Sequence, residues 1–249
     1  MRNIKLTIEY DGTDFNGWQV QAKTQRTVQG EIEKALNIIL KKKTRIYGSG
    51  RTDSGVHAFG QVAHFKTSSP MPCEVLNRAL NANLPPDIII HDVTDVPLNF
   101  HAQYNAKKKT YCYTILNRVC PCAINRRFCT HIPCRLNFTA MRHASKQLLG
   151  EHDFKSFAAS NPAKRGKKES TVRRVSQIHL KKKGDYLTIE IEANGFLYKM
   201  VRNIVGTLIL IGTGKLAKDS IARILEERDR SFAGETAPAL GLCLMEVKY

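Results

Sequence analysis

Apolar and polar residues alternate through Ile4, Leu6, Ile8 and Tyr10, the period-two pattern of a strand with one buried face. Val28, Ile32, Leu36, Ile39 and Leu40 then recur at helical spacing, and Thr27 stands where a hydroxyl can cap the helix start. Residues 45–47 and 61–65 predict two strands around a glycine-rich stretch. Residues 75–81 predict a short helix and residues 88–96 another strand. The order β-α-β-β-α-β is that of a split, ferredoxin-like unit.

The second half repeats this kind of order. Tyr111, Tyr113 and Ile115 alternate as a strand, and residues 139–149 have helical spacing that stops at Gly150. Residues 176–180 and 187–193 predict a hairpin. Residues 199–211 and 219–228 predict helices, and 243–249 a last strand. Two halves of like order predict a pseudo-symmetric α+β protein with a cleft between them. The boundary falls at 105/106. Half 1–105 carries the glycine-rich loop, and half 106–249 carries a basic segment and the MVRNIVG helix, the two expected to work together as one unit.

Apolar content of 42% and charged content of 24% are ordinary, so the charge balance stands out: 39 Lys and Arg against 22 acidic residues, a formal net charge of +17. Such an excess predicts a polyanionic partner, because each neutralised phosphate releases condensed counterions. A membrane is the rival anion, but no stretch approaches the ~18 apolar residues of a spanning helix. The apolar zone from Ile204 to Ile211 is interrupted by Gly206 and Thr207. The chain enters a strand at once, without a signal-peptide core, which predicts a cytoplasmic protein. Seven cysteines, an odd number, fit reduced thiols better than a disulfide framework. Cys120, Cys122, Cys129, His131 and Cys134 crowd together, but Cys-Pro-Cys is not the usual C-x2–4-C zinc spacing, and no metal is expected. Basic runs at Lys41–Lys43 and Lys181–Lys183, and the segment 158–174 with Lys164, Arg165, Lys167 and Lys168, suggest an RNA footprint.

The run from Gly48 to Phe65, GSGRTDSGVHAFGQVAHF, is unlike a packed helix or strand. It sets the Asp53 carboxylate one residue after a hydroxyl and two after a guanidinium, among glycines that permit unusual backbone angles and close approach of a ligand. It predicts a functional loop feeding a strand. The same composition also suits an ordinary Asp-Ser-Gly turn.

This run resembles the GRTDAGVHA signature of the tRNA pseudouridine synthase A family, with Ser54 in the alanine position. EYDGTDFNGWQVQ (9–21), KKTYCYTILN (108–117), HDFKSF (152–157), FLYKMVRNIVGTLI (196–209) and APALGLCLMEVKY (237–249) follow the family in order, so the likeness covers nearly the whole chain. It implies the pseudouridine synthase fold: two pseudo-symmetric ferredoxin-like halves forming a mixed, mainly antiparallel sheet with a central cleft. It also implies isomerisation of uridine to pseudouridine at positions 38, 39 and 40 of the tRNA anticodon stem-loop, by a homodimer and without a cofactor. In this likeness Asp53 matches the catalytic aspartate. Arg202 matches the basic residue that pairs with it, and Arg51 the arginine that fills the gap left by the flipped base. Tyr111 matches the tyrosine that stacks on the target base. Strand alternation puts Tyr113 on the same face, so only the motif picks Tyr111. Cys112 and Gln103 stand where members often carry a basic residue, and the family connection around Cys120–Cys134 has no fixed cysteines. His57 and His64 are expected to be structural or adjacent to RNA.

Overall fold

The computed structural model describes residues 1–21, 26–160 and 170–249. In chain order its regular elements are β1 (Arg2–Tyr10), α1 (Val28–Leu40), β2 (Tyr47–Gly48), β3 (His57–Thr67), α2 (Cys73–Asn83), β4 (Ile88–Val96), β5 (Lys108–Leu116), β6 (Thr130–His131), α3 (Phe138–Lys146), β7 (Gly150–Asp153), β8 (Val172–Lys183), β9 (Tyr186–Ala193), α4 (Met200–Gly212), α5 (Ser220–Glu227) and β10 (Leu242–Lys248). They form two compact units, Met1–Lys107 with Cys243–Tyr249, and Lys108–Leu242. The class is α+β, with mixed, mainly antiparallel sheet pairing.

In the first unit the strand order is β4-β1-β3-β10, with β2 added on β3. The β1 pairings with β3 and β4 are antiparallel, while β10 runs parallel to β3. The register sets Ile4 beside Phe65 and Leu6 beside Ala63. These four are fully buried, as are Val28, Ile32 and Leu36 of α1 and Leu80 of α2, and together they supply the core. Thr27 caps α1 as the sequence predicts, accepting from the Gly30 amide at 3.2 Å. The opposite sheet face carries Lys5, His64 and Lys66, because Lys5 pairs with His64 and Asn3 with Lys66.

Sequence periodicity starts β3 at Gln61, whereas the strand begins at His57. Phe59 and Gly60 hide it: Phe59 is exposed, and a Cβ on Gly60 would lie 2.4 Å from the Met245 carbonyl of β10. Conversely, the strand expected over 45–47 shrinks to Tyr47–Gly48.

In the second unit the order is β5-β9-β8-β7, with the two-residue β6 parallel to β5. Helix α4 is apolar on several sides because it is buried: Met200, Ile204, Val205 and Leu208 are fully enclosed. α3 packs on it, and Gly212 permits this, since a Cβ there would meet Met141 Sδ at 2.7 Å. The basic segment is partly strand, for β8 starts at Val172 and includes Arg173 and Arg174.

Candidate functional site

The first unit presents Asp53 on a loop that other backbone segments hold closely. Residues 11–18, just after β1, lie against it. A Cβ on Gly12 would sit 2.0 Å from the Val56 carbonyl, and one on Gly17 would sit 2.6 Å from the Thr52 carbonyl. Gly17 also has φ +79°, a left-handed conformation that suits glycine. Its neighbour Trp18 is buried, donates its amide to the Thr52 carbonyl at 3.1 Å, and covers Gly48 so closely that a Cβ there would touch the indole at 2.6 Å. These are backbone-against-backbone or ring-against-backbone approaches, which no larger residue permits. The motif EYDGTDFNGWQ is thus the seat of the Asp53 loop, and its two glycines were the sequence signal for that.

Polar contacts finish the loop. Tyr10 and Thr52 share a buried hydrogen bond of 2.8 Å, and burial pushes the Tyr10 phenol well above its ordinary range. The Ser49 hydroxyl donates to Gln61 Oε1 at 2.7 Å, and Gln61 Nε2 donates to the Gly50 carbonyl at 3.1 Å. Both side chains are fully buried, so the strand β3 that follows the loop also ties its start. Ser54 Oγ donates to the Phe15 carbonyl at 3.1 Å. The Val56 amide closes a turn on the Asp53 carbonyl at 3.2 Å, and Gly55 takes φ +77°. His57, buried, receives the Gly12 amide on Nδ1 at 3.0 Å and lies 3.1 Å from Asp11 Oδ1. It serves the seat of the loop. In this frame Asp53 is half-buried and Arg51 exposed. Arg51 Nε donates to Gln19 Oε1 at 3.1 Å, and Gln19 Nε2 donates in turn to the buried Gln29 of α1.

In the second unit the two tyrosines of β5 have different fates. Tyr113 is fully buried. Its hydroxyl lies 2.6 Å from Thr130 Oγ1 and donates to the Pro238 carbonyl at 2.8 Å, and burial pushes it up to about 12. Gly241 lies against its ring, where a Cβ would come within 2.7 Å. Tyr113 is a core residue. Tyr111, paired with Ile191, meets the Phe196 ring edge-to-face at 5.1 Å. Arg202 on α4 is half-buried and locked to the chain near the C-terminus. Its Nε donates to the Ala237 carbonyl at 2.7 Å, and the Ala237 amide donates back to the Arg202 carbonyl at 3.1 Å. The segment reaches α4 because Gly206 lacks a Cβ, which would otherwise overlap the Glu235 carbonyl at 1.7 Å. Buried Asn203 braces it, accepting from Thr236 Oγ1 at 2.6 Å and Arg230 Nη2 at 3.1 Å and donating to the Phe157 carbonyl at 2.7 Å. Beside Tyr111 on β5, burial pushes the Lys109 ammonium down to about 8.

Asp53 and Arg51 therefore share one loop of the first unit, and Tyr111 and Arg202 belong to β5 and α4 of the second. Lys164, Arg165, Lys167 and Lys168 lie outside the described residues. The Cys122 and Cys129 sulfurs lie 3.6 Å apart, and burial pushes the Cys129 thiol up to about 11. Among the described residues, no group of three or more His, Cys, Asp or Glu is placed to hold a metal ion. A cavity of about 970 Å³ in the second unit, lined by Thr114, Phe128, Cys129, Lys181, Lys183 and Tyr186, contains neither Tyr111 nor Arg202.

The family model described as tRNA pseudouridine synthase matches residues 6–105 and 144–249. Asp53, Arg51 and Arg202 fall within the matched spans, and Tyr111 and the cysteine cluster fall between them. The chain is 46% identical over 249 residues to tRNA pseudouridine synthase A of Thermoanaerobacter sp. (strain X514), covering 100% of both chains. It is 45% identical, with the same coverage, to tRNA pseudouridine synthase A 2 of Clostridium perfringens and to tRNA pseudouridine synthase A of Acetivibrio thermocellus. Among solved structures, an archaeal box H/ACA sRNP Nop10–Cbf5 complex superposes with a TM-score of 0.38 at 10% identity, over 83% of this chain and 42% of that one.

Proposed function

The chain belongs to the tRNA pseudouridine synthase family, and from that premise we propose that it converts uridine to pseudouridine at positions 38, 39 and 40 of the tRNA anticodon stem-loop, with Asp53 as its catalytic carboxylate. Its activity is that of an isomerase acting on tRNA. The N-glycosidic bond breaks, the base turns, and its C5 bonds to the ribose. Only connectivity changes, so the reaction is redox-neutral, and we assign it no cofactor. A carboxylate can serve by attacking the sugar carbon, by removing a ribose proton or by adding to the base.

The observation that supports this reading best is the seat of Asp53. A half-buried carboxylate stands on a loop fixed by the near-contact glycines 12 and 17 and by the Tyr10–Thr52 and Gln61 hydrogen bonds. Preorganisation of this kind spares the reaction the cost of ordering its catalytic group. Around it we assign Arg202 to pair with Asp53, Tyr111 to stack on the target base, and Arg51 to fill the gap in the stem. Base–aromatic stacking is worth ~1–3 kcal/mol and offsets part of the cost of flipping the base. The net charge of +17 supports binding to the phosphate backbone, with Lys164, Arg165, Lys167 and Lys168 as proposed contacts. We further propose a cytoplasmic homodimer whose two halves work as one catalytic unit.

The test is chemical mapping of pseudouridine in an unmodified tRNA transcript after incubation with the purified, chelator-treated protein. Pseudouridine at 38, 39 or 40 is expected. Modification confined to other sites would overturn the anticodon-arm assignment. Activity that returns only on adding a metal ion would overturn the cofactor-free one.

A further inference from the structure

The first unit carries a second constellation that the isomerisation does not use. Residues 99–105 fold back over the sheet face that carries His64, and they are firmly pinned there. The Ala102 amide donates to His64 Nδ1 at 3.2 Å, and the Tyr249 hydroxyl donates to the Ala102 carbonyl at 2.8 Å. Asn3 Nδ2 donates to the Phe100 carbonyl at 2.9 Å. The His101 amide donates to Asn105 Oδ1 at 2.6 Å, and the Asn105 amide returns to the His101 carbonyl at 3.0 Å.

This scaffold presents rings to the exterior. Tyr104 is 78% exposed and stacks on His101 with centroids 4.2 Å apart and planes 28° apart. His101 in turn lies 4.6 Å from buried His64 and 5.9 Å from Tyr47, which is itself 48% exposed. The Gln103 and Tyr104 amides point at His101 Nδ1, at 3.2 and 3.4 Å, so that nitrogen accepts and the ring is uncharged. Burial holds both histidines below their ordinary range, and at His64 the neighbouring His101 adds to the effect. The rings are therefore flat and neutral. The cations stand beside them: the Arg45 guanidinium lies 5.8 Å from the Tyr47 ring centre, and Lys66 lies two residues beyond His64 on the same strand face. Exposed aromatics held rigid beside cations suit a single-stranded nucleic acid, which offers a π-face and a phosphate at every step.

We propose that Tyr104, His101 and Tyr47 form a platform on which an unpaired base of the RNA substrate stacks, with Arg45 and Lys66 on the adjoining phosphates. This rests on the reading of the chain as an enzyme acting on tRNA. Tyr104 and His101 belong to the 99–105 segment rather than to the Asp53 loop, and the base proposed to stack on them is one other than the target of that loop.

The chain's single tryptophan, Trp18, is buried, so Tyr104→Trp supplies an exposed reporter. Its emission should be quenched in a saturable way by unmodified tRNA, because a base stacks on the indole. Tyr104→Ala should weaken tRNA binding about five- to tenfold, and Tyr104→Phe, which keeps the ring, should stay within about twofold of wild type. Absence of quenching, or Tyr104→Ala binding within about twofold of wild type, would overturn the platform. So would a changed oligomeric state of Tyr104→Ala in sedimentation, which would make the patch a contact between copies of the chain. If the wild type itself forms no pseudouridine, the functional reading fails instead, and these binding readouts are unaffected by that failure.

Discussion

At the scale of single residues, the spaces that are missing matter as much as the groups that are present. Gly17 combines φ +79° with a Cβ position 2.6 Å from the Thr52 carbonyl, one residue before Asp53. Gly17→Ala should cost about 2–4 kcal/mol, from left-handed strain and from overpacking against backbone, and should reduce turnover at least tenfold because the Asp53 loop must shift. Gly184 has φ +58° but nothing within 4 Å of a Cβ, so Gly184→Ala should cost only about 1 kcal/mol and leave turnover intact. Denaturant midpoints and single-turnover rates of the two variants check this. Equal effects on turnover would contradict the close-approach argument.

Lys109 offers a residue-scale prediction in pH. Burial lowers its folded value from the ordinary 10.5 to about 8. Below about 8 the ammonium is charged in both states, and the burial cost is present in full. Between about 8 and 10.5 the unfolded chain holds a proton that the folded chain lacks, so stability rises with pH across that window. Relative to Lys109→Met, the wild type should gain at most about 3 kcal/mol on going from pH 7.5 to 10.5. Paired denaturant titrations at the two pH values read the difference directly, and a wild type that loses ground to the variant would reverse the sign of the argument.

At the scale of elements, α4 and residues 234–237 act as one piece. Gly206 lets the Glu235 carbonyl rest on the helix, the Gly234 amide donates to Thr207 Oγ1 at 2.8 Å, and Ala237 grips Arg202 through two hydrogen bonds. Gly206→Ala should force the segment off the helix, destabilise the protein by about 3 kcal/mol or more, and release the Arg202 side chain. Turnover should then fall further than in a variant of comparable instability elsewhere, such as Leu80→Ala, which empties a fully buried site of α2 in the first unit. Thermal melts matched against single-turnover rates make the comparison.

Elements were legible where a period repeats over several residues. The strand at Ile4–Tyr10 and the helix from Val28, with its Thr27 cap, follow from alternation and spacing alone. β6 spans only two residues and β7 only four, too short for any period to declare itself. The choice between Tyr111 and Tyr113 could not be made from β5, because both share a face. What β5 alone does not carry is the tie of the Tyr113 hydroxyl to Thr130 and Pro238, which are distant in sequence and hold that ring in the core. The Asp53 loop was visible as a loop from its glycines. Its seat on residues 11–18 was not, because backbone packed against backbone leaves no hydrophobic pattern, only Gly12 and Gly17.

At the scale of the whole molecule, a net charge of +17 should make tRNA binding strongly salt-dependent. Log affinity should fall steeply with log salt. Alanine at Lys164, Arg165, Lys167 and Lys168 should flatten the slope by roughly 0.7–0.9 for each phosphate that is no longer neutralised. An unchanged slope would place the basic segment away from the RNA.

The central claim is that one carboxylate, Asp53, carries the isomerisation of uridine in tRNA. Its most direct test is single-turnover conversion of unmodified tRNA by wild type and by Asp53→Asn, with enzyme in excess and binding measured on the same preparations. The substitution keeps the side-chain volume and removes the charge. Asp53→Asn is predicted to bind tRNA within about a few-fold of wild type, because phosphate contacts dominate affinity, and to form no measurable pseudouridine. Substantial residual turnover by Asp53→Asn would contradict the assignment.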